Sequence, residues 1–234
     1  MNFRSFGSSS KGNAYLVESD GIAPLMIECG LPMKALREKL SFSLSGLAGC
    51  LISHCHMDHA KAAKDLLRAV VDVWASYETA RALGITGHHC FYALGAGVQQ
   101  PIGHWWVLPF DLHHDAPALG FLVAAPDGDK LLFVPDTAFI TNRFEGVNII
   151  AIECNYVADK LSHNIQSGAI PKAVGRRVRR NHMELNTVKN FLLANDLSRC
   201  REVHLLHMSD GNSDEIKMIR EIQEITGVPV YAEK

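Results

Sequence analysis

Ser53-His54-Cys55-His56-Met57-Asp58-His59 places three imidazoles and one carboxylate within the six residues from His54 to His59. The segment follows the apolar pair Leu51-Ile52 and precedes a helix-like stretch from Ala60 to Ala69. A strand that ends in such a loop can aim His54 and His56 at one metal ion, and Asp58 and His59 can then reach a second. Two divalent ions at about 3.5–4 Å form a clamp for hydrolysis, above all of phosphoesters. A lone histidine is usually a surface or core residue, and two in one loop can arise by chance. Four potential ligands at this spacing, at a strand-to-helix junction, read as a metal site.

Further ligands lie far along the chain, each at the C-terminal end of an apolar run. Trp105 to Leu112 reads as a strand and ends in His113-His114-Asp115. Leu131 to Val134 ends in Pro135-Asp136-Thr137, and Val203 to His207 runs on into Met208-Ser209-Asp210-Gly211-Asn212. A ligand in such a place projects from a rigid sheet edge into a shared loop face. Imidazole and carboxylate together suit zinc, and also manganese or iron. An Asp between two cations can bridge them through its two oxygens. His204 stands three residues from His207, so the two face opposite sides of one strand. His113 competes with His114 by the same alternation.

These residues resemble the metallo-β-lactamase superfamily over most of the chain. The His-x-His-x-Asp-His element is specific for that superfamily. Ser8-Ser9-Ser10-Lys11-Gly12-Asn13-Ala14, Ile27-Glu28-Cys29-Gly30-Leu31, His114-Asp115-Ala116, Asp136-Thr137, Glu153-Cys154-Asn155-Tyr156 and His207-Met208-Ser209 with Asn212 are similar to its small bacterial YycJ/WalJ-type members. The resemblance implies an α/β fold, a four-layer αββα sandwich with a dinuclear centre between two sheets. It implies that His54, His56 and His114 hold one ion, that Asp58, His59 and His207 hold the other, and that Asp136 bridges them. It also favours His114 over His113. The chain departs from the subgroup in three places. Asp136-Thr137-Ala138 replaces Asp-Thr-Gly, Glu28 stands where many relatives have Asp, and Asn181-His182-Met183-Glu184-Leu185 stands where Gly-His-x-Ser-Asn is expected. The last touches a substrate-side histidine, so it bears on substrate choice more than on metal binding.

Composition agrees with a soluble enzyme of one domain, residues 1–234, with a sizeable core. The net charge of −2 gives no global basic field, which argues against tight non-specific DNA binding. The six cysteines are scattered without a CxxC pair, which argues for a reducing cytosol and against a zinc ribbon or a disulfide framework. Met1-Asn2-Phe3-Arg4-Ser5 lacks an apolar signal core, which counts against an exported β-lactamase. No apolar run approaches the roughly 20 residues that span a bilayer. A cytoplasmic enzyme without a membrane partner is expected.

Local signals place the remaining elements. Strands are expected at 14–18, 25–28, 50–53, 70–75, 119–125, 130–134, 148–153 and 228–231. Helices are expected at 32–40, 77–83, 184–194 and 214–226. Pro126-Asp127-Gly128-Asp129 reads as a hairpin turn. Residues 84–103 are Gly-rich and give no clear assignment. Ser8 to Gly12 reads as a plain turn rather than a phosphate cradle. Trp105 and Trp106 read as packing residues more than as a base-stacking pair.

Substrate signals concentrate between Glu153 and Glu184. Lys172, Arg176, Arg177, Arg179 and Arg180 precede His182. They read either as a solvated helix face or as a phosphate rim, because Arg forks bind phosphate oxygens bidentately. His182 is the candidate proton donor to a leaving oxygen, and Asp58 the group that orients the attacking water. The expected function is dinuclear metal-dependent hydrolysis of a nucleic-acid or nucleotide phosphodiester, using two Zn or Mn ions. The resemblance points to a 5′-acting DNA exonuclease. A thioester or lactone hydrolase on the same scaffold is the first alternative, and a non-catalytic metal-binding module the second.

Overall fold

A computed structural model of the chain describes every residue except Phe42. The chain divides into two compact units, Met1–Asp111 with Ala116–Lys130, and Leu112–Asp115 with Leu131–Lys234.

In the first unit six strands form one sheet in chain order: β1 (Asn2–Ser9), β2 (Gly12–Glu18), β3 (Leu25–Ile27), β4 (Gly49–Leu51), β5 (Val73–Ser76) and β6 (Phe91–Leu94). β1 to β3 are antiparallel neighbours, and β3 to β6 run parallel. The crossovers carry helices α1 (Met33–Lys39), α2 (Met57–Ala60), α3 (Ala63–Arg68) and α4 (Tyr77–Leu83). Parallel strands are covered on both faces, so they read as unbroken apolar runs. Every residue of β3 and of β4 is buried. Leu16, Met26, Leu36, Ile52, Leu66, Val73 and Ala80 belong to one core in this unit. α4 shows how local chemistry fixes an element's ends. The Ser76 hydroxyl accepts the Thr79 N–H at 3.0 Å, and Gly84 closes the helix at φ 66°. Three more strands, β7 (Gln100–Ile102), β8 (Trp105–Leu112, its last residue in the second unit) and β9 (Ala118–Ala124), follow. The expected turn after β9 is present, with Ala125 N–H donating to the Asp129 carbonyl at 2.9 Å.

The second unit holds four parallel strands, β10 (Lys130–Val134, its first residue in the first unit), β11 (Ile149–Glu153), β12 (Glu202–Leu206) and β13 (Val230–Ala232). Helices α5 (Ala158–Gln166), α6 (Lys172–Asn181), α7 (Leu185–Leu193) and α8 (Glu215–Thr226) connect them or precede them. The register pairs Val134 with Ile152 and Glu153 with Leu206. The C-terminal ends of three strands therefore lie side by side, and the residues that follow them share one edge.

The elements expected from periodicity are present with ends shifted by a few residues. Three differences have clear causes. β1 was not expected, because its buried positions follow no clean alternation and a bulge interrupts its register between Ser5 and Gly7. The Gly-rich span 84–103 holds β6 and β7, whose short runs are too brief for a periodic signal. α5 has only Leu161 buried, so its apolar stripe was too thin to read. No helix among the described residues is long and apolar enough to cross a membrane.

Candidate metal centre

In the first unit the site begins where β4 ends. His54 is fully buried, and its Nδ1 lies 2.9 Å from the Ser53 hydroxyl. Its Nε2 lies 3.1 Å from His56 Nδ1. Two imidazole donors on one tetrahedral zinc, with bonds of about 2.0–2.1 Å, stand about 3.3 Å apart. The His54–His56 pair thus has the bite that a metal ion needs. His56 caps α2, which carries Asp58 and His59 in its single turn. His59 is buried, with Nε2 3.2 Å from Asn13 Nδ2 and 3.5 Å from Asp58 Oδ2. Its Nδ1 stands 3.4 Å from Glu28 Oε1.

Asn13 and Glu28 hold this loop in place. Asn13 Nδ2 also reaches the Asp58 carbonyl at 3.1 Å. Glu28 is wholly buried at φ 64°, and its Oε2 accepts from Ser53 N–H at 3.4 Å. Burial pushes its carboxyl above the ordinary range, and the nearby His59 opposes that rise. A carboxylate behind a histidine orients the ring and raises its basicity as a ligand. Gly30 permits the close approach, for a Cβ there would stand 1.7 Å from the Asp58 carbonyl oxygen. That neighbour is backbone and cannot rotate aside. Gly30→Ala is expected to cost about 3 kcal/mol or more, lowering the melting temperature by about 6–12 °C in a chain of this size. Gly87→Ala meets nothing within 4 Å and should be near neutral. Equal melting temperatures for the two variants in calorimetry would contradict the packing argument.

In the second unit, the shared strand edge assembles a buried cluster. Asp136 follows β10, Glu153 ends β11, His207 follows β12, and His182 caps the C-terminus of α6. One ligand atom from each of these four residues lies within 4.8 Å of the others. His207 Nδ1 is 3.3 Å from Asp136 Oδ1 and 3.2 Å from Glu153 Oε1. His207 adopts φ 49°, and Asn155 Nδ2 donates to its carbonyl at 2.8 Å. His182 Nδ1 lies 2.6 Å from Glu153 Oε1 and 3.7 Å from Asp136 Oδ2. Burial disfavours charge on both partners, but their attraction prevails. Glu153 is held below the ordinary carboxylate range and His182 above that of imidazole. Two buried carboxylates beside two imidazoles form a donor set that suits a divalent cation.

His114 and His113 differ sharply in setting. His114 is nearly covered; its Nδ1 donates to the Asn181 carbonyl at 3.1 Å, and its Nε2, the nitrogen that could serve a metal, stands 3.2 Å from Asp115 Oδ1. Burial lowers its pKa, favouring the neutral ring that metals bind. His113 is exposed and stacks on Phe139 at 4.0 Å. His204 sits with Nδ1 2.7 Å from Glu233 Oε1, away from the strand-end cluster of this unit.

The basic run forms α6, in which only Gly175 and Asn181 are buried. Arg177 donates to Asp115 at 3.3 Å and Arg179 to the Ser162 hydroxyl at 2.9 Å. Arg176 and Arg180 are exposed. Trp105 is fully buried, with its Nε1 donating to the Ala23 carbonyl at 2.8 Å, so it has no face for a ligand. Glu28, Glu153 and Asn181 stand in the motif segments quoted above, but sequence reasoning gave none of them a role of its own. A signal existed for Glu153, which ends an apolar run as Asp136 does.

Comparison with known proteins agrees with this geometry. Residues 9–144 match the metallo-beta-lactamase superfamily, and the chain belongs to it. It is a metal-dependent hydrolase, with His and Asp clusters fit for divalent ions. It is 26% identical to the exodeoxyribonuclease YycJ of Bacillus anthracis, over 94% of this chain and 80% of the relative. It is 23% identical to the exodeoxyribonuclease WalJ of Streptococcus pneumoniae, over 97% of this chain and 86% of the relative. Among solved structures, the metallo-beta-lactamase fold protein YhfI of Bacillus subtilis superposes with a TM-score of 0.74 at 15% identity, covering 99% of this chain and 96% of that one. The short form of human tRNase Z gives a TM-score of 0.64 at 13% identity, covering 100% and 96%. The fold is therefore the metallo-β-lactamase fold that the sequence resemblance implied.

Proposed function

We propose that residues 1–234 act as one domain, a dinuclear phosphodiesterase of the cytoplasm that hydrolyses nucleic acid, as a 5′-acting DNA exonuclease. His54, His56 and His114 would hold one ion, Asp58, His59 and His207 the other, and Asp136 would bridge them, with Zn or Mn as the metal. When bound, such ions supply a hydroxide near neutral pH and neutralise charge on the phosphoryl oxygens. Asp58 accepts a hydrogen bond from the attacking water and orients it. As the water oxygen bonds to phosphorus and the P–O bond to the leaving group breaks, His182 delivers a proton to the departing oxygen. Glu153 on Nδ1 holds the His182 ring, so Nε2 faces that task.

The observation that carries the choice of a polyanionic substrate is the attachment of α6 to the ligand loop. Arg177 bonds to Asp115, the neighbour of His114, on a helix whose other arginines face outward. The two relatives called exodeoxyribonucleases support the same choice. A thioester or lactone hydrolase would have little use for this basic face.

Replacing Arg176, Arg177, Arg179 and Arg180 with glutamine should raise KM for a long single strand about tenfold or more. The log–log salt dependence of binding should flatten by up to about 3, at about 0.7 for each phosphate no longer neutralised. Turnover of bis-p-nitrophenyl phosphate should stay near the parent value, because a small diester reaches the site without the rim. Equal losses on both substrates would make the arginines structural, and no loss on either would make them a solvated helix face. A panel of 5′- and 3′-labelled DNA and RNA strands, with thioester and lactone controls, tests the substrate class. Turnover of a control but of no strand would overturn the nuclease reading.

A further inference from the structure

Phe139 is 44% exposed, in a loop that begins at the candidate ligand Asp136. Single exposed apolar residues are ordinary. This one is distinguished by how firmly it is held. Its ring lies on that of His113 with centroids 4.0 Å apart and planes 18° from parallel. With one face on His113, its exposure falls to the opposite face and the edges. The backbone beneath is pinned by Thr137, which is fully buried. Thr137 Oγ1 accepts from His113 N–H at 3.0 Å and lies 2.9 Å from the Phe139 carbonyl, to which it can donate. Ala138 N–H donates to the His113 carbonyl at 2.9 Å. Thr137 N–H in turn donates to Glu153 Oε2 at 3.0 Å, and Glu153 is the carboxylate that holds His182 and His207. The stacked pair is thus fixed to the same scaffold as the candidate ligands.

We infer that Phe139, backed by His113, is a stacking platform for a nucleobase of the substrate strand, beside the phosphate to be cleaved. The inference rests on the nuclease reading above and narrows it to strands whose terminal base is free to unstack. Aromatic faces accept any base, since every base has a π-face. A rigid ring loses little freedom when a base lands on it, so the contact is not consumed by ordering. The charge alongside is complementary. Arg177, on the exposed basic helix α6, is tied to Asp115, two residues along the chain from His113. Of the two tryptophans weighed for stacking, Trp105 is fully buried, and Trp106, 48% exposed, lies in β8 and not in the loop that follows Asp136.

The test uses the full chain and short single strands whose 5′-terminal nucleotide is adenosine, 2-aminopurine or an abasic analogue. Parent protein should bind and cleave the adenosine strand with a KM about 10- to 100-fold lower than the abasic one. Phe139→Ala should raise KM on the adenosine strand to the abasic value and leave kcat within about twofold. Phe139→Trp should restore the parent KM. With metal chelated, 2-aminopurine fluorescence should be quenched on binding the parent and the Trp variant but not the Ala variant, a readout independent of turnover. Equal KM for the adenosine and abasic strands on the parent would overturn the platform and leave the nuclease reading standing. So would full quenching with Phe139→Ala. Turnover of no strand by the parent would overturn the nuclease reading, and the platform with it.

Discussion

Chelation is expected to abolish turnover of both strands and bis-p-nitrophenyl phosphate, and added Zn or Mn to restore it. The donor arrangement argues for a large effect. His54 and His56 present ring nitrogens 3.1 Å apart, and one donor atom from each of Asp136, Glu153, His182 and His207 lies within 4.8 Å of the others. Imidazole nitrogens and carboxylate oxygens gathered this closely offer a divalent cation several donors at once. About two ions per chain should be found by elemental analysis of the purified protein, as a two-metal arrangement requires. Metal should also raise thermal stability, since ligand bound only to the native state stabilises it by mass action. Failure to take up divalent metal at neutral pH, with unchanged melting temperature, would sink the dinuclear reading.

Asp58→Ala should lower turnover at least ~100-fold, in line with loss of a group that handles the water's proton. Asp58 is partly exposed at the start of α2, with Oδ2 3.5 Å from His59 Nε2, so its carboxylate can face a ligand while its backbone is held by Asn13. The fold should survive, because the substitution leaves the core packing intact. Asp58→Asn separates two roles. It keeps an oxygen for coordination but cannot accept a proton from the water. Two ions per chain with turnover still ~100-fold down would assign Asp58 to proton handling. Loss of one ion would assign it chiefly to coordination. Near-parent activity in both variants would show that the His-x-His-x-Asp-His element has been misread.

Much of the architecture was legible because it is local. Apolar runs marked the strands, and a loop rich in His and Asp stood where β4 ends and α2 begins. Local signals marked the end of α8 at Gly227 and the turn at Pro126-Asp127-Gly128-Asp129, each within a few residues. The candidate ligands could be proposed by one rule, that polar residues at the C-terminal ends of apolar runs meet at a sheet edge.

Other roles depended on partners distant in sequence. Glu153 pairs with His182 across 29 residues and with His207 across 54, contacts set by the parallel register and by where α6 ends. Asn181 supports His114 through its backbone carbonyl, which no residue type reveals, while its side chain donates to Asp115 at 2.6 Å. The difference between buried Trp105 and open Phe139 is likewise one of burial, which composition does not carry. Chain-local chemistry specifies which residues can ligate a metal, bind phosphate or stack. Which of them stand close enough to act together is decided by register and packing, because hydrogen bonds and coordination act only over a few ångströms.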